Sequence, residues 1–367
     1  MGKKCIESKK ESGELKFIMK QIKKDKLSYK TIMLWIITVL LIISNVFLNS
    51  WSLSAGISAM VNKALAITIS IALIIFVSKI NLCFLKKNSF YIVCFLILVD
   101  LVTTLIQLNL YGLVQENYKI ILVFIYLVGI GCLLNQYEKL ASKKKYVKYI
   151  ISVVIFLTAK NSEKAILFIL LVSLLVMFIK LENKCAKKCI LHGLIICMTI
   201  VLINVMLILL FGEKYQVDRL RFLLTFGKNS SLEKNRDIAV HILRDVKLFE
   251  NIELFFKNNN MIYANKEVYI VSYIAGAVGL FVLFIALLLY GWQIGIIGSK
   301  VVKYQDEEVI GISILGTYVA RIIYLLAICT NMMPINSISL PFMSCDIWIL
   351  LFDSLCIGYF MNKRWYR

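Results

Sequence analysis

Proline is almost absent: 367 residues contain two, Pro334 and Pro341, seven positions apart. Histidine is as scarce, and His192 and His241 are too few and too far apart for a zinc site. The ten cysteines show no CxxC pair and no regular spacing, which supports neither a disulfide framework nor a metal centre. Charge is thin at 17% of residues, and acidic residues are outnumbered 22 to 42 by Lys and Arg. Residues 1–30 are lysine-rich and lack the apolar centre of a signal peptide. These absences argue against metal catalysis and soluble enzyme classes.

What fills the chain instead is apolar: hydrophobic residues make up 60% and the mean hydropathy is +0.81. A soluble protein of this length could not hide so much apolar surface, so a bilayer is the expected solvent. Ten runs approach or exceed the length a helix needs to cross a core about 30 Å thick. They lie near 31–54, 62–79, 88–110, 117–136, 146–159, 164–180, 189–211, 267–292, 308–330 and 339–361. Uninterrupted Leu, Ile and Val do not alternate as strands of a membrane barrel would. The fold class predicted is an all-α integral membrane protein of about ten spans.

The net charge of +20 invites a nucleic-acid reading, but its placement answers otherwise. With the N-terminus inside, the cytoplasmic segments are 1–30, 79–87, 137–148, 180–188, 297–307 and 362–367. They hold 27 of the 42 Lys and Arg, whereas the short outer turns carry almost none. This is the positive-inside asymmetry, and it predicts an even number of spans with both termini cytoplasmic. The basic segments address anionic headgroups, not nucleic acid. The domain reading is a basic segment 1–30, a membrane domain 31–361 and a basic tail 362–367.

One connection is long. Residues 212–266 form an outer loop between the seventh and eighth spans. Two amphipathic pieces within it, YQVDRLRFLL and NRDIAVHILRDVKLF, would lie on the outer membrane face or fold over the bundle. Charges within apolar runs are costly unless paired or hydrated. Asp100 and Arg321 are of this kind. Glu116 and Lys119 are one turn apart at the start of the fourth span, and Asp346 and Asp353 share a face of the last. Two readings stand open: a polar cavity for the head of a lipid-linked substrate, or internal ion pairs such as Arg321 with one aspartate.

The two prolines belong to TNMMPINSISLPFMSCD, residues 330–346. Proline at membrane depth breaks a helix, and freed backbone groups persist only against protein or water. The segment therefore reads as a non-helical, re-entrant stretch before the last helix, with Asn336, Ser337 and Ser339 supplying side-chain hydrogen bonds.

MPINSISLPFMS resembles the signature before the last helix of the SEDS family (the RodA, FtsW and SpoVE group), roughly LPxTGxPLPFxSYGGS. Pro334, Leu340, Pro341, Phe342 and Ser344 match it. YQVDRL, with Tyr215, Gln216, Asp218 and Arg219, looks like the family's YQxxR segment at the start of its large loop. Gly276 and Gly279 fall on its GxxG, and Glu116 and Lys119 suit its ExxK. The resemblance covers residues 30–362.

The resemblance implies a glycosyltransferase that polymerises lipid II in division or cell-shape control, beside a single-pass class B penicillin-binding protein. It implies an undecaprenyl-linked lipid substrate, makes no cofactor certain, and leaves room for a divalent cation. The family's base is an aspartate at the start of its eighth helix; Asn265 stands there without a gap and Glu267 with a two-residue gap. Glu267 is then the candidate base, and Arg219, Arg221, Lys160 and Lys164 are candidate pyrophosphate partners. The chain departs from the family at Asn161 and Glu163, at Asp346 and Ile347, and in lacking the NGxxRW element before the fourth helix. Three functions stay open: a divergent polymerase, a non-catalytic scaffold or regulator, and a polysaccharide polymerase of O-antigen type.

Overall fold

A computed structural model describes residues 29–45, 57–80, 82–109, 119–135, 147–160, 164–211, 217, 241–249, 270–302, 308–329, 339–344 and 347–362. Most of these residues are helical, with no strand among them. The first seven helices are α1 (Tyr29–Asn45), α2 (Ile57–Lys79), α3 (Leu82–Asn109), α4 (Lys119–Asn135), α5 (Val147–Lys160), α6 (Lys164–Lys180) and α7 (Lys184–Phe211). Further along the chain lie α8 (Ile270–Val278), α9 (Leu280–Val301), α10 (Glu308–Cys329) and α11 (Ile347–Phe360). Each overlaps an expected apolar run. The result is a multi-pass helical membrane protein.

The eighth run departs from expectation. Instead of one helix over 267–292, it is two, divided at Gly279, whose φ of 100° only glycine adopts without strain. The second piece continues to Val301, into the segment read as cytoplasmic. Its 22 residues span about 33 Å, enough to cross the bilayer alone. α8 is left free of the spanning task and sits inside the bundle, with Ile270 through Ala277 all buried.

Burial sorts the helices from centre to rim. α11 is central, buried at every position from Leu350 to Phe360, and packs on α2 and α4. At its crossing with α2, a Cβ on Gly358 would stand 2.8 Å from Val77 and 3.1 Å from the Ile74 carbonyl oxygen, so only glycine permits the approach. Contacts of α10 with α6, α4 and α9 complete the interior. α7 is peripheral. Its buried residues all lie in the first half, from Ala186 to Cys197, and the half from Val201 to Phe211 presents large apolar side chains outward.

The first and last described residues lie at one end of the bundle. Lys30 Nζ donates to Ser299 Oγ at 2.8 Å, and Lys300 Nζ to the Phe360 carbonyl at 3.2 Å. Asn362 Nδ2 donates to the carbonyls of Val77 and Ile80 at 3.1 and 2.8 Å. The start of α1 and the ends of α2, α9 and α11 therefore share a side.

Candidate functional site

From the opposite end a short non-helical stretch, residues 339–344, plugs the bundle. Its centre is a turn in which the Met343 N–H donates to the Leu340 carbonyl at 3.1 Å. Pro341 occupies the second position, where its fixed φ is suited, and Phe342 the third, with φ 62°. This is a type II turn with phenylalanine where glycine is usual. The left-handed angle costs about 1–2 kcal/mol for an L-residue, so the surroundings must hold it.

Side chains from four helices hold it. The Phe342 N–H donates to Asp353 Oδ2 at 2.8 Å, and Asn45 Nδ2 donates to the carbonyls of Phe342 and Ser344 at 2.5 and 3.0 Å. Tyr290 OH donates to the Pro341 carbonyl at 2.5 Å. Arg321 Nε and Nη2 reach the Ser339 carbonyl at 3.2 and 3.0 Å, while its Nη1 pairs with Asp353 Oδ1 and Nη2 lies 3.3 Å from Oδ2. Thus α1, α9, α10 and α11 each satisfy plug backbone groups that no lipid could. Tyr290 is ten residues, about 15 Å, along α9 from Lys300, so the turn reaches roughly the middle of the hydrocarbon layer.

A second buried chain of hydrogen bonds runs beside the plug. Tyr318 OH donates to Gln293 Oε1, whose Nε2 donates to Thr38 Oγ1 at 3.1 Å, and Thr38 donates to the Leu34 carbonyl at 2.7 Å. It ties α10 to α9 and α1. The rings of Tyr290 and Tyr318, tilted by 58° with centroids 6.3 Å apart, meet between the two networks.

The ion-pair reading is therefore the one realised for Arg321, and Asp353 is its partner. Both are buried and engaged with the plug, so of the two readings left open the ion pair is the one found for Asp353. Ser339 is a smaller correction. Its carbonyl is the bonded group, whereas its hydroxyl is buried with no partner among the described residues. Pro341, Phe342 and Ser344 lie in the non-helical stretch.

Lys119, Lys160 and Lys164 open α4, close α5 and open α6. The alternating helix directions place all three positions at the plug end, although their side chains are outside the described set. Glu116, Arg219, Arg221, Asn265, Glu267, Pro334 and Asp346 lie outside the described residues. Among the described residues no group of His, Cys, Asp and Glu could hold a metal ion.

Sequence reasoning passed over Asn45 and Tyr290, which anchor the plug, and Gln293 and Tyr318, which tie the helices beside it. A signal existed: an amide or phenol inside an apolar run requires a partner, and that partner is usually another helix.

No protein-family profile and no curated protein matches the sequence. Among solved structures, a chain from a peptidoglycan synthase complex superposes with a TM-score of 0.64 at 12% identity, over 90% of this chain and 96% of that one. This chain has the SEDS fold. The Thermus thermophilus rod-shape-determining protein RodA, solved as a mutant, superposes with a TM-score of 0.54 at 11% identity, over 89% of this chain and 96% of its own. The shared architecture thus spans about nine-tenths of the chain.

Proposed function

We propose that the protein is a divergent SEDS-type component of bacterial cell-wall synthesis. Its reaction is polymerisation of lipid II, or a related undecaprenyl-pyrophosphate-linked sugar, at the outer membrane face. The observation that carries this reading is the RodA-like superposition over 90% of the chain, with the signature plug folded at its centre. In this reading the end holding residues 30 and 362 is cytoplasmic, so the plug opens outward. Lys119, Lys160 and Lys164 then stand on the outer side, where cationic groups would receive a leaving pyrophosphate. The detached half of α7 leaves its apolar side chains toward lipid, from which polyprenyl tails would arrive. Glu267 is the proposed base, with Arg219 and Arg221 on the same loop as further phosphate partners.

The test is glycan-strand formation from lipid II by purified protein, run beside Glu267→Gln and with and without Mg²⁺. Product from the parent and its loss in Glu267→Gln support the assignment; equal product from both removes Glu267 from the mechanism. A single-pass partner such as a class B penicillin-binding protein is part of the proposal. Gly291 and Gly295 sit four apart on α9 with open space over both, a face where another helix can approach closely. The same face supports a second reading, a scaffold without chemistry. In that case Gly291→Leu with Gly295→Leu abolishes partner co-purification and phenotype, while Glu267→Gln changes neither.

A further inference from the structure

We propose that residues 246–249 of the long loop are a membrane anchor, with Leu248 and Phe249 inserted among phospholipid acyl chains of the leaflet at the plug end. The segment follows a helical stretch at 241–245, whose Ile242 and Leu243, with Val246, pack against the bundle core. Beyond Lys247 two apolar side chains turn away: Leu248 is 65% and Phe249 69% exposed. A fixed apolar pair this open is uncommon on a surface bathed by water and calls for an apolar neighbour.

The backbone shows where that pair is held. The first N–H groups of α9, at Leu280 and Phe281, donate to the carbonyls of Lys247 and Leu248 at 3.1 and 3.2 Å. A helix start leaves such donors unsatisfied, and here the loop caps them. Gly279 lies directly under the Leu248 carbonyl, where a Cβ would collide. The Phe249 ring meets Phe281 at a centroid distance of 5.4 Å. Phe281 in turn begins the outward stripe of α9 that continues through Phe284, Leu288 and Trp292.

Depth makes the neighbour a lipid. Leu280 is twenty residues from Lys300, about 30 Å along the helix, which equals the hydrocarbon thickness. Leu248 and Phe249 therefore sit at the boundary between acyl chains and headgroups, in line with a lipid-facing stripe. Arg244 and Lys247, both exposed, are at the level of headgroup phosphates. Nothing in this inference depends on the polymerase reading.

The test places p-benzoylphenylalanine at Phe249, and separately at Leu248, in the full chain reconstituted in phosphatidylglycerol-containing nanodiscs. Lipid-facing Phe284 and buried Ile274 serve as references. After irradiation, intact mass is expected to show a phospholipid adduct at 248 and 249 with a yield comparable to Phe284 and several-fold above Ile274. Adduct yields at both positions no higher than Ile274 overturn the anchor. So does cross-linking to a second copy of the chain in place of lipid. If one variant fails to elute as a single species, the other decides.

Discussion

Two described residues carry a left-handed backbone angle, Gly279 and Phe342, and they are held by opposite means. Gly279 breaks the eighth run at no steric cost, and the exposed helix start is covered by main-chain carbonyls from a distant loop. Phe342 carries the penalty of a side chain in that region and is held by buried side chains of Asn45, Arg321 and Asp353. A glycine break needs only a neighbouring backbone. A strained turn at mid-membrane needs a fully satisfied polar network, because each open group there would face hydrocarbon.

The contrast breaks most sharply at Asp353. Replacing it with Ala strands the Arg321 guanidinium and the Phe342 N–H, and should cost about 3–5 kcal/mol. The expected readout is loss of monodisperse protein or a large fall in thermal midpoint in detergent. Arg321→Met with Asp353→Leu should recover part of that loss, since no charge is left unpaired. Asn45→Leu leaves two plug carbonyls without their donor and should cost about 1–3 kcal/mol in the same measurement.

Gly279→Ala probes the other region. Its Cβ meets the Leu248 carbonyl and its φ is unfavourable, so about 1–2 kcal/mol should be lost. That loss should fall on the loop contact, read as faster proteolysis near 241–249 with the thermal midpoint less affected than in Asp353→Ala. Tyr290→Phe removes one neutral hydrogen bond to the plug and should cost about 1 kcal/mol. If Gly279→Ala proved as damaging as Asp353→Ala, the distinction between backbone-held and side-chain-held breaks would fail.

Much of the fold was legible in apolar run length. Residues 164–180 were bounded to the residue, because length and hydropathy alone decide a simple span. The re-entrant plug was legible from Pro341, since proline removes a donor wherever it falls. The Arg321–Asp353 pair was foreseen as one option among several, because a buried charge demands a partner without naming it. Asn45 and Tyr290 were not foreseen, for their partners are carbonyls that any residue could supply.

The Gly279 break shows the same limit. Gly276 and Gly279 were visible in the sequence, but nothing local says which will take a positive φ. That was decided by Lys247 and Leu248, more than thirty positions earlier, arriving with carbonyls to cap α9. The sequence by itself determined that the chain lives in a bilayer and where proline forbids a helix, since these follow from transfer energies and local sterics. Only the tertiary structure decided which carbonyl meets which donor, because satisfying buried polar groups depends on residues far apart in the chain reaching the same place.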